Sequence, residues 1–144
     1  MNIRIFYDDV NFRLRGWRKA VKIFCKVVGS ENKIPGDLSF IVTNDAAIKK
    51  INIEFLQHNY FTDVIAFDNG SHNVVGGEIY LSIDTVKANA LNYNVSLNIE
   101  VLRVMIHGLL HLCGYTDNTE EMKTRMRERE DFWIKEFEER NNEV

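Results

Sequence analysis

The chain has 144 residues, 45% hydrophobic and 27% charged, with a formal net charge of −3. That length suits one domain with a real core, and the composition excludes the disordered and fibrous classes. A negative total gives no general attraction to a polyanion, so any nucleic-acid binding has to come from local patches.

Met1 to Tyr7 predicts a first strand, with Ile3 and Ile5 on one face and Asp8-Asp9 closing it. It does not resemble a signal peptide. Arg13 to Val28 predicts an amphipathic helix with Leu14, Trp17, Val21, Phe24 and Val28 at core spacing. Its other side carries Arg15, Arg18, Lys19, Lys22 and Lys26, and no acid lies between Val10 and Ser30. Such a stripe is either a solvated face or a phosphate-contacting one, and Arg15, Lys19 and Lys22 are the substrate contacts on the second reading. Glu31 to Gly36, with the only proline, predicts a loop, and Asp37 to Thr43 a second strand. Asn44-Asp45 offers caps for a helix from Ala46 to about Phe55, followed by a loop from Gln57 to Phe61.

Thr62 to Phe67 and Gly77 to Ser82 predict the third and fourth strands, joined by a polar turn containing Gly70. A helix near Thr85 to Leu91 follows. Ser96 or Asn94 then caps a long helix running through Cys113. The final helix spans Thr119 to about Arg140, with Met122, Met126, Phe132, Trp133 and Phe137 on its apolar side. This order predicts an α+β fold, one domain over 1–144, with a small mixed four-stranded sheet packed by about five helices. No apolar run approaches the roughly 20 residues of a membrane helix. Cys25 and Cys113 form no CxxC, which argues against a disulfide framework and fits a cytoplasmic setting.

The chemistry concentrates in the long helix. His107 and His111 stand four residues apart, so on a helix they share one face and can share one metal ion. Gly114 suits the left-handed end of that helix, after which the chain can turn back and present Asp117. Two imidazoles and one carboxylate leave a fourth zinc position to water, the stoichiometry of a catalytic site. The spacing is that of the metzincin proteases with Asp in the last place, but Gly108 occupies the position of their glutamate. A blander reading buries both histidines in a core helix and uses Asp117 with Glu120 as a capping box. Gly114 and the carboxylate at the tenth position together favour the metal. Cys113, two positions past His111, points elsewhere on the helix and reads as a core thiol.

The stretch His107 to Asp117, HGLLHLCGYTD, resembles the signature of the YbeY family of metal-dependent endoribonucleases that mature ribosomal RNA. There H-G-x-L-H-L-x-G-Y-D-H carries three histidine ligands. Asn52, Thr62-Asp63-Val64 with Phe67, and Gly77-Glu78-Ile79 are similar to the family's L-N-x-x-Y-R, T-D-V-L-S-F and G-D-I segments. The resemblance implies one zinc per chain on His107, His111 and Asp117, the last replacing a histidine. It implies a single-strand-specific endoribonuclease acting at the small-subunit 3′ end and in ribosome quality control. RNA precursors and the ribosome or its proteins are then the expected partners, with no membrane. Leu56, Phe61 and Ala66 depart from the family's arginine, proline and serine. Leu56 has no guanidinium for a bidentate phosphate contact, which leaves His58, Asn59 or the basic helix to supply one.

Zinc with an open position activates water and polarises phosphoryl or carbonyl oxygens alike. Gly108 cannot serve as a peptidase base, so a phosphodiesterase is favoured. The catalytic candidates are His107, His111 and Asp63. Asp63 and Glu78, at strand starts, are expected as a base or as partners that orient a ligand, Asp63 having an alternative role as a strand cap. Two other readings stay open: a zinc hydrolase of another substrate, and a non-catalytic zinc-bearing RNA- or ribosome-binding module.

Overall fold

Leu38, Phe40 and Val42 are fully buried at every second position of one strand, the period that turns one strand face into a core. That strand is central. The computed structural model describes residues 2–56 and 63–140. Its elements run β1 (Asn2–Tyr7), α1 (Trp17–Ser30), β2 (Ile34–Thr43), α2 (Asp45–Ile51), a π-helical turn (Asn52–Leu56), β3 (Val64–Asp68), β4 (Val74–Ser82), α3 (Ile83–Tyr93), α4 (Leu97–Leu112) and α5 (Glu120–Arg140). The sheet order is β1-β2-β4-β3. β1, β2 and β4 are parallel, and β3 runs antiparallel on the edge of β4. This is the mixed four-stranded α+β arrangement expected from the element order. No single helix among the described residues is long and apolar enough to cross a membrane.

Several boundaries differ from the sequence reading for local reasons. β2 begins at Ile34 rather than Asp37 and includes Pro35. β1 pairs only from Asp37 onward, so Pro35 lies where the strand has a free edge and its missing N–H costs no ladder bond. α1 begins at Trp17, not Arg13, because Gly16 takes a left-handed φ of 81°. Arg15 is therefore off the helix, its peptide N–H donating to Asn98 Oδ1 at 2.8 Å while Asn98 Nδ2 donates back to its carbonyl at 3.1 Å. The core stripe of α1 is also rotated: Ala20, Ile23, Phe24, Val27 and Val28 are buried, whereas Val21 is half-buried. Phe24 stacks on Phe40 with centroids 4.7 Å apart, which fixes α1 over β2.

α4 lies against the same sheet. A Cβ built on Gly108 would come 2.8 Å from Ile79 Cγ2 and 3.2 Å from Val64 Cγ2. Gly108 thus lets the helix approach β3 and β4 more closely than any other residue would. Because side chains alternate along a strand, Glu78 and Tyr80 point to the sheet face opposite Ile79, where Tyr80 Oη donates to Glu78 Oε2 at 2.9 Å. Glu78 is accordingly neither a base nor a ligand-orienting partner for the histidines, and that expectation is corrected.

Candidate metal centre

Beyond its first turn, α4 is buried except for Arg103, His107 and His111, which are half-buried. Those three stand four residues apart and form a single stripe beside α5. Ser96 caps the helix, its Oγ accepting from the Ile99 N–H at 3.2 Å. At the other end the Cys113 N–H donates to Leu109 O, and the Tyr115 N–H to Leu110 O, each at 3.0 Å. Gly114 turns the chain with a φ of 106°, a conformation glycine reaches without steric cost. Asp117 then returns over the histidines.

His107 Nε2 and His111 Nε2 lie 3.0 Å apart, and Asp117 Oδ2 is 3.8 Å from each. The three donor atoms all fall within 4.8 Å of one another. Edges of about 3.3 Å are what a tetrahedral site with bonds of about 2.0–2.1 Å requires. The other ring nitrogens are occupied. His107 Nδ1 sits 2.7 Å from Glu130 Oε2, and His111 Nδ1 3.0 Å from the Tyr115 carbonyl. Both partners are acceptors, so each Nδ1 carries the proton and each Nε2 presents a lone pair. Two lone pairs and a carboxylate converging on one point call for a cation, and these residues fit a metal ion.

Electrostatics agree. Burial alone would push the His107 pKa down, but the Glu130 hydrogen bond and charge, with Asp63 and Asp117, outweigh it and hold the pKa above the ordinary 6.5. The surroundings favour positive charge at this ring. Glu130, buried on α5, uses its second oxygen on Arg103 Nη1 at 3.4 Å, and Arg103 also meets Asp131 at 2.8 Å and Glu100 at 4.0 Å. Burial pushes the Cys113 thiol up to about 12, in keeping with an inert core thiol.

Asp117 is not the cap of α5. Thr119 takes that place, its Oγ1 accepting from the Met122 N–H at 3.1 Å, so the carboxylate of Asp117 is left to face the histidines. Asp63 lies outside the ligand group but lines, with His107, a cavity of about 500 Å³. Its carbonyl accepts from the Ser82 N–H at 3.0 Å, and its side chain accepts from Asn89 Nδ2 at 3.5 Å. Arg15 and Lys19 border a separate hollow near Asn98, about 14 Å along α4 from His107 at 1.5 Å per residue. Lys19 Nζ sits 5.3 Å from the centre of the Phe137 ring, and Lys22 is exposed. These basic residues are not gathered at the centre. His58 and Asn59 lie outside the described residues. Sequence reasoning missed Glu130 and Arg103, whose signal was faint: one acid within the charged run of α5, and a lone arginine four residues before His107 in the apolar α4.

Comparison with known proteins gives one family. The model of the family described as "Endoribonuclease YbeY" matches residues 3–138. A relative named Endoribonuclease YbeY from Christiangramia forsetii is 45% identical over 126 residues, covering 88% of each chain. Another of that name, from Flavobacterium psychrophilum, is 36% identical over 95% of this chain and 98% of its own. Among solved structures, the solution structure of TM1509 from Thermotoga maritima is similar with a TM-score of 0.64 and 29% identity. It is matched over 98% of this chain and 93% of its own.

Proposed function

We propose that this chain, which belongs to the YbeY endoribonuclease family, is a zinc-dependent, single-strand-specific endoribonuclease acting in ribosomal RNA maturation in the cytoplasm. The observation that carries the reading is the convergence of two bare Nε2 atoms and the Asp117 carboxylate. One zinc ion held by His107, His111 and Asp117 would lower the pKa of water toward about 7 and polarise a phosphoryl oxygen. Glu130 and the Tyr115 carbonyl keep both rings turned toward the ion. Hydrolysis joins a water oxygen to phosphorus and breaks one P–O ester bond. The water's proton passes to a base, and the departing oxygen takes up another. Asp63, which lines the same cavity as His107, is the proposed base. Small-subunit 3′ ends, a part in ribosome quality control and contact with the ribosome or its proteins belong to the same reading.

Cleavage of an unstructured RNA by the purified protein, with and without a chelator, tests it. Loss of cutting on chelation and its return with zinc are expected. Cutting that ignores the chelator would remove the metal from the mechanism. Leucine at position 56 favours one second reading, a zinc-bearing RNA-binding module without turnover, because no guanidinium is offered there. Tight RNA binding without cleavage under any divalent metal would select it.

A further inference from the structure

We infer that the cavity beside His107 is a nucleotide subsite, in which Arg127 binds a backbone phosphate and Tyr93 stacks on the adjoining base of the RNA. The inference rests on the phosphodiester reading above and extends it to how the strand is held. The cavity, about 500 Å³, falls in the roughly 300–1,000 Å³ range of small-ligand sites. A second hollow of about 220 Å³ opens over His107 and Asp117. Arg127 borders both hollows, as does His107. A group bound by Arg127 is therefore next to the metal ligands and to the larger cavity at once.

The charges decide which part of a nucleotide goes where. Arg103 also lines the larger cavity, but three carboxylates already hold it. The exposed Arg127 guanidinium has no hydrogen-bond or ion-pair partner among the described residues. Lys123, which also borders the smaller hollow, is paired with Glu120 at 3.5 Å, whereas Arg127 is free to take a phosphate and its planar fork suits one. The cavity's interior is acidic and repels phosphate, whereas an uncharged base with N–H donors can enter it. Asn89 offers a hydrogen-bonding edge there. Tyr93 closes the rim at 67% exposure, beside exposed Leu91 and Val95. A large ring held in water at the mouth of an acidic cavity is placed as a stacking platform, and stacking tolerates any base.

The test uses the full chain loaded with zinc and a labelled, unstructured oligoribonucleotide, with binding read before turnover across a salt series. Arg127→Gln should flatten the log–log salt slope by about 0.7 and raise KM more than it lowers kcat. Tyr93→Ala should weaken binding by about 5- to 100-fold at unchanged salt slope, and Tyr93→Phe should restore it. Zinc content should be that of the parent in all three. Parent-like affinity and slope in both Arg127→Gln and Tyr93→Ala, in a parent that cuts RNA, would overturn the subsite alone. A Tyr93→Phe protein as weak as Tyr93→Ala would overturn the stacking. A parent that neither binds nor cuts RNA would overturn the subsite and the endoribonuclease reading together.

Discussion

Glu130 Oε2 lies 2.7 Å from His107 Nδ1, joining α5 to a candidate metal ligand on α4 across 23 positions of sequence. The carboxylate is buried, so it is poorly screened and holds the ring in one tautomer. Partners of this kind usually contribute about 10- to 100-fold in metal affinity. Glu130→Ala should therefore lose zinc to a competing chelator at concentrations the parent withstands. Glu130→Gln keeps an acceptor oxygen and should fall between the two. Equal zinc affinity in parent and Glu130→Ala would show that the ring needs no such partner.

Asp117→Ala should lower zinc content while leaving helix content unchanged, because Thr119 caps α5 without it. Asp117→His should retain zinc, since imidazole is an equally good ligand. Elemental analysis beside circular dichroism reads both effects. An Asp117→Ala protein as fully metallated as the parent would exclude the carboxylate from the ligand set.

At Gly108 the helix touches the sheet. An alanine methyl would press on the stiff branched side chains of Ile79 and Val64, and such overpacking costs about 1–3 kcal/mol. Better helix propensity returns about 1 kcal/mol at most. Gly108→Ala should thus be destabilised by up to about 2 kcal/mol in denaturant melts. A stabilised variant would mean that α4 shifts away from the sheet freely.

Glu100 is buried, and desolvation raises its pKa above the ordinary 4.5 despite Arg103 nearby, with Asp63 and Glu130 adding to the rise. A carboxyl whose folded pKa is raised favours the folded state fully below the unfolded value. That contribution is lost as pH climbs through the folded value. Glu100→Gln removes this loss, so it should raise the melting temperature at pH 7. The gain should shrink toward zero below about pH 4.5. A neutral-pH destabilisation by Glu100→Gln would mean the ion pair with Arg103 outweighs burial.

The convergence of His107, His111 and Asp117 could be read because its geometry is local. An interval of four on a helix, and a glycine turn that returns a carboxylate at the tenth position, need no knowledge of the rest of the fold. The start of α1 was missed, because apolar spacing from Leu14 onward suggests a helix from Arg13 and hides the left-handed turn at Gly16. Glu78 misled because a strand's period shows that residues alternate without showing which face meets α4. Glu130 lay beyond reach for a deeper reason. Which acid of a charged helix meets His107 depends on how α5 slides along α4, and that register is set by Met126, Trp133 and Phe137 entering the core.

That last dependence also bears on how long a bound ion stays. Glu130 is carried by the same helix as those three core residues, so while α5 is seated the His107 ring cannot swing out of line. An opening of α5 would free the ring from Glu130, so how long an ion stays depends on the hydrophobic core as well as on the ligands themselves. A mutation that loosens Phe137 should then lower hydrogen-exchange protection between Met126 and Phe137 and shorten the ion's stay without touching a ligand.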